Sequence, residues 1–91
     1  MPARSLPAAL MRVSVHFYSY FQELAGCVET TEVLAPGSTA GDLLQALSVR
    51  FPKLERMQKS TLIAVGVDYQ SRIYVLHDGD EVSLFPPVQG G

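Results

Sequence analysis

The stretch Asp78-Gly79-Asp80-Glu81-Val82-Ser83-Leu84-Phe85-Pro86-Pro87-Val88-Gln89-Gly90-Gly91 is the last of a 91-residue chain, and it decides how the rest is read. Asp78-Gly79-Asp80 is a turn signal, and Glu81 to Phe85 alternates with Val82 and Leu84 on the buried side, as a strand with one covered face requires. Pro86 and Pro87 have no backbone N–H and favour an extended polyproline conformation, so the sheet has to end at Phe85 and the chain has to project from the body. Gly90 and Gly91 then present a carboxylate with no side chain for two residues, which lets bare backbone enter a passage that a Cβ would block.

Working outward from that strand, Arg12 to Tyr18 alternates as well, with Val13, Val15 and Phe17 on one side and Ser14, His16 and Tyr18 on the other. Tyr20 to Ala25 forms a short helical turn closed by Gly26. Val28 to Leu34, rich in Thr and Val, reads as strand two, and Ala35-Pro36-Gly37 turns the chain into its one long helix. Ser38 or Thr39 caps that helix and Asp42 supplies the negative charge favoured in a first turn. Leu43, Leu44, Leu47 and Phe51 give it one apolar stripe, and Pro52 stops it. Lys53 to Ser60 reads as a polar connection, Thr61 to Val67 as a buried strand, and Ile73 to Leu76 as a further short strand.

The order strand, strand, helix, strand, short strand, strand predicts an α+β domain of two layers, with one main helix packed on one face of a mixed sheet. Antiparallel hairpins at both ends with a crossover between them fit a β-grasp arrangement. The expected organisation is a loosely ordered extension over residues 1–10, a folded domain over 11–85, and a flexible tail over 86–91. A chain this short makes one domain.

Composition narrows the function classes. Hydrophobic residues make up 47% of the chain, too many for a disordered segment, while the apolar runs are too short and too interrupted by charge to span a bilayer. Seven Lys or Arg against nine Asp or Glu leave a formal charge of −2, and the scattered cations argue against nucleic acid or a membrane as the partner. The single cysteine, Cys27, has no partner for an internal disulfide, which suits a reducing cytoplasm; it reads as a small buried hydrophobe. His16 and His77 read as surface residues, and Asp78, Asp80 and Glu81 as a charged turn, so no metal ligand set is expected. That leaves the tail as the place for chemistry: a carboxylate is inert to nucleophiles until activated, for example as an acyl-adenylate, whose carbonyl then accepts sulfur or an amine.

Three segments, Phe17 to Gly26 (FYSYFQELAG), Leu62 to Val65 (LIAV) and above all Asp78 to Gly91 (DGDEVSLFPPVQGG), resemble the family of small, sulfur-carrying subunits of molybdopterin synthase. The likeness runs from about Met11 to Gly91. It implies a ubiquitin-like β-grasp fold with a five-stranded sheet whose first and last strands lie side by side. It also implies a cycle in molybdenum cofactor biosynthesis. A ubiquitin-activating-type adenylyltransferase uses ATP to adenylate the Gly91 carboxylate, and a sulfur donor such as a cysteine desulfurase or rhodanese converts it to a thiocarboxylate. The tail then enters the large, catalytic synthase subunit and gives its sulfur to cyclic pyranopterin monophosphate. On this reading the chain is not an enzyme alone and holds no permanent cofactor.

The resemblance further implies that Tyr18, Tyr69 and Phe85 dock on the large subunit, with Pro86, Pro87 and Val88 as the stem leading to Gly90 and Gly91. Strand parity agrees for Tyr18 and Phe85, which fall opposite the core side of their strands and form one exposed patch if those strands are neighbours. Gln22 stands where Arg is common in the family, Gly66-Val67 where an Asn-bearing pair is usual, and Gln89 where a small residue is usual. Other readings of the same tail are a sulfur carrier for thiamine synthesis or tRNA thiolation, a ubiquitin-like protein modifier joined through Gly91 to lysines, and an interaction domain with an inert end.

Overall fold

The computed structural model describes residues 10–87, and its framework is the pairing of the first strand with the last. Strand β1 (Met11–Phe17) runs parallel to strand β5 (Glu81–Phe85), with Ser14 opposite Glu81 and Phe17 opposite Leu84. On its other side β1 takes β2 (Glu29–Leu34) in an antiparallel pair, and β5 takes β3 (Leu62–Val65), which in turn pairs with β4 (Asp68–Gln70). The resulting order, β2-β1-β5-β3-β4, is the mixed five-stranded sheet of a ubiquitin-like β-grasp fold. Because side chains alternate along each strand, Val13, Val15, Phe17, Ile63, Val65, Val82 and Leu84 all point to one face and form a single core.

The helix α2 (Ala40–Arg50) covers that face with Ala40, Leu43, Leu44 and Leu47. Of the two residues able to start it, Thr39 is the cap: its hydroxyl accepts from the Asp42 amide at 3.2 Å, and the Asp42 carboxylate accepts from the Thr39 amide at 2.9 Å. Such a box contributes about 1 kcal/mol. Full burial of one Leu or Phe side chain contributes roughly 1.5–3 kcal/mol, so the apolar stripe decides where the helix lies and the cap decides where it begins. At the other end the Arg50 guanidinium donates to Glu32 at 2.6 Å, to the Thr31 carbonyl at 3.0 Å and to the Thr30 hydroxyl at 2.9 Å. These bonds tie α2 to the edge strand β2. Preceding β2, the short helix α1 (Phe21–Ala25) ends at Gly26, whose φ of 77° is left-handed as its position demands.

Two segments differ from the sequence expectation. Lys53 to Ser60 is no plain connection: Pro52–Ser60 winds as a 3-10 helix. Leu54, three residues before Met57, anchors it to the core, Gln58 donates to the Ser48 hydroxyl at 2.8 Å, and Thr61 donates to the Met57 carbonyl at 2.6 Å. The short strand expected over Ile73 to Leu76 lies instead at Asp68–Gln70. Gly66, with φ 62°, makes the two-residue turn that folds β4 back on β3. The later stretch puts its backbone to another use. The carbonyls of Arg72 and Tyr74 accept the free amides of Gly41 and Ala40 at 2.8 and 2.9 Å, so they close the first turn of α2, and only one bridge, Thr39 to Val75, remains. No helix among the described residues is long and apolar enough to cross a membrane.

Candidate functional site

The β1–β5 pairing brings the residues around the tail root together. Phe85 ends the central strand, and past the end of β1 the Tyr18 amide still donates to the Leu84 carbonyl at 3.1 Å, which continues the parallel ladder by one residue. Tyr18 and Phe85 therefore stand side by side on the face away from α2. Their rings stack at 4.7 Å between centroids with 13° between planes. Tyr69, opposite Ala64 in the β3–β4 pair, reaches Phe85 from the far side, 6.2 Å between centroids and edge-on. Offset or edge-on aromatic pairs of this kind contribute about 0.5–1.5 kcal/mol each beyond their burial. Tyr18 is 42% and Tyr69 69% exposed, so the cluster is ordered by its own contacts yet open to a partner.

Leu62, half-buried, pairs directly with Phe85, and Ala64, opposite Tyr69, is buried on the same face. Neither was singled out by sequence reasoning. The parity that turns Ile63 and Val65 inward places both on the outer face, and that signal was available. Tyr69 has no such signal, because Asp68–Gln70 did not read as a strand. The chain leaves β1 through Ser19, whose φ of 59° is left-handed for a non-glycine residue. This sharp departure carries the backbone into α1, where the Gln22 side-chain amide donates to the Phe17 carbonyl at 3.1 Å.

Pro86 and Pro87 follow Phe85 without strand pairing and are partly covered. Val88, Gln89, Gly90 and Gly91 lie outside the described residues, as do residues 1–9. Asp78, Asp80 and His16 are engaged in turns and strand pairs. Asp78 accepts the Arg12 amide at 2.9 Å, Asp80 accepts the His77 amide at 2.8 Å, and His16 faces Glu29 across β1 and β2 at 3.3 Å. Cys27 is half-buried against the core. Among the described residues no group of three or more His, Cys, Asp or Glu is placed to hold a metal ion. What the site offers is an exposed aromatic cluster around Phe85, the residue that precedes Pro86 and Pro87.

Comparison with known proteins places this arrangement. Residues 15–91 match the ThiS family, a match that reaches the final glycine. A molybdopterin synthase sulfur carrier subunit from Escherichia coli (strain K12) is 36% identical over 81 residues, covering 87% of this chain and 99% of the relative. One of the same description from Chlamydomonas reinhardtii is 33% identical over 84 residues, covering 89% and 100%. Among solved structures, a Pyrococcus furiosus protein provisionally described as molybdopterin converting factor, subunit 1, superposes with a TM-score of 0.79 at 31% identity, covering 86% of this chain and 99% of that one.

Proposed function

The chain belongs to the ThiS family, and on that premise we propose that it is the sulfur carrier subunit of a molybdopterin synthase, active through its C-terminal glycine. The observation that carries this reading is the family match running through Gly90 and Gly91, on a body whose aromatic platform sits at the root of that end. The chemistry needs little from the chain itself. ATP, bound by an adenylyltransferase, accepts the Gly91 carboxylate at its α-phosphorus and releases pyrophosphate. A sulfur nucleophile then displaces AMP from the acyl-adenylate and leaves a thiocarboxylate. The large synthase subunit receives the loaded tail, and the sulfur passes to cyclic pyranopterin monophosphate.

Two glycines suit that route because a threaded terminus has to present its carbonyl to a buried nucleophile without a side chain in the way. The direct test is the intact mass of the protein after incubation with its adenylyltransferase, ATP and sulfide. Replacement of one oxygen by one sulfur, mapped to Gly91, is the expected result. An unchanged mass would refute the carrier reading, and covalent adducts with lysines of other proteins would assign the chain to protein modification instead.

The platform supplies a second prediction. Phe85→Ala removes the ring on which both tyrosines rest, and it should weaken binding to the large subunit by at least ~1 kcal/mol, as truncation of a central aromatic anchor does. The dissociation constant of a variant shown to be folded by its melting curve checks this. Wild-type affinity would count against a docking role for the cluster.

A further inference from the structure

Three cations stand in one row on the surface, and the row follows from the winding of Pro52–Ser60. A 3-10 helix has three residues per turn, so side chains three apart eclipse one another. Lys53, Arg56 and Lys59 therefore form a single ridge about 12 Å long at the ~2 Å rise of such a helix. All three are exposed, and Leu54 and Met57 on the next row face the core. None of the three makes an ion pair with another described residue.

The remaining described cations are placed differently. Arg50 is held by Glu32, Arg72 donates to the carbonyls of Gln58 and Thr61, and Arg12 lies on β1. The carboxylate of the segment itself, Glu55, sits on a separate row. On a chain of formal charge −2, the ridge is a local reversal of sign. Against it lies a shallow groove of about 500 Å³ lined by Tyr20, Leu24, Lys53, Arg56 and Met57. Leu24 and Met57 give it apolar lining, and Lys53 and Arg56 give it positive charge. Tyr20 of the groove stands two residues along the chain from Tyr18 of the platform.

We propose that this ridge and groove dock an acidic segment, carrying at least one apolar side chain, of the same protein partner that grips the Tyr18–Phe85 platform. The proposal rests on reading the chain as a carrier subunit. A protein segment fits better than a polyanion or a lipid surface. Three contacts on a net-negative body give a weak counterion-release term and a weak attraction to anionic lipid, whereas an apolar slot beside charge matches a side chain flanked by Asp or Glu. Such pairing acts mainly by steering encounter and fixing register, and it is sensitive to salt.

The test titrates the full chain against the synthase large subunit and against the adenylyltransferase, at low and at high salt. It compares wild type with the triple charge reversal Lys53→Glu, Arg56→Glu, Lys59→Glu, with the neutral Gln triple, and with Arg12→Glu as a control. The expected result is at least about tenfold weaker binding at low salt to the same partner whose affinity Phe85→Ala lowers, a flattened salt dependence, and a smaller loss for the Gln triple, whereas a loss confined to the other partner would overturn the shared occupant. Arg12→Glu should stay within about twofold, as a charge outside the contact does. Wild-type affinity and salt dependence for both partners in a folded triple variant would overturn the ridge while leaving the carrier reading intact. Failure of the wild-type chain to bind either partner would overturn both. Binding of wild type to phosphatidylserine vesicles or single-stranded RNA, lost in the triple variant while partner binding is kept, would overturn the choice of a protein occupant.

Discussion

Removing Gly91 alone should cut sulfur loading by at least about a hundredfold and leave the melting temperature unchanged. Among the described residues the core cluster runs from Met11 to Leu84, and glycine has no side chain to add to it. The shortened chain still ends in a glycine carboxylate, yet that carboxylate falls one residue short. An extended residue spans about 3.3–3.6 Å, and a displacement of about 1 Å between reacting groups can already cost a hundredfold. Gly91→Ala restores the reach and adds one Cβ at the acyl carbon's neighbour, so its loading should fall between the two. Timed intact-mass measurements on the three proteins distinguish these levels. Normal loading of the shortened chain would move the chemistry away from the terminus, and Cys27, the one thiol in the sequence, would then be the group to examine.

The second large effect is on stability. Phe17→Ala empties a position that is fully buried where β1, β5 and α2 meet, and it removes the edge-on partner of Phe51 at 5.8 Å. Truncation of a core Phe costs about 3–5 kcal/mol, which is a large part of the 5–15 kcal/mol that holds a typical domain together. The urea midpoint should drop accordingly, and the melting temperature by something on the order of 20 °C. Phe17 immediately precedes Tyr18 and pairs with Leu84, which precedes Phe85. Loosening it should therefore weaken binding through the aromatic platform even where the variant remains folded. A loss below about 1 kcal/mol would mean that Phe51 and Phe21 close the gap, and the corner would be more plastic than its burial suggests.

Much of this architecture is legible in the residues themselves. The alternation of Val13, Val15 and Phe17, and of Val82 and Leu84, predicts both central strands, and Thr39 with Asp42 marks the start of α2. The same alternation places Tyr18 and Phe85 on the outer face, where their rings are found stacked. Their pairing as neighbours needed the family resemblance, because a parallel contact between residues nearly seventy apart leaves no local trace. Pro52–Ser60 escapes pattern reading for a different reason. Its single apolar pair three apart, Leu54 and Met57, is too short a pattern to mark a helix, and long-range bonds from Gln58 and Arg72 stabilise it. The basic ridge depends on that winding, since in a plain connection Lys53, Arg56 and Lys59 share no face. Ile73 to Leu76 misleads in the opposite sense, since its β-branched composition suits a strand while its Tyr74 carbonyl, with that of the preceding Arg72, serves the start of α2. Tyr69 lies in Asp68–Gln70, a strand defined by the turn at Gly66 and not by the propensity of its own residues.

The parallel contact of β1 with β5 also has a consequence for synthesis. Glu81–Phe85 is translated last among the strands, and it joins the amino-terminal hairpin to the carboxy-terminal one. Any product that stops before it holds two half-sheets with raw edges and an uncovered helix face, a species fit for proteolysis. Folding must wait for the ribosome to finish the central strand, and long-range closure of this kind is intrinsically slow. Quality control and the proposed carrier chemistry thus converge on one short stretch: a molecule that has folded has already made the strand that leads into Pro86 and Pro87.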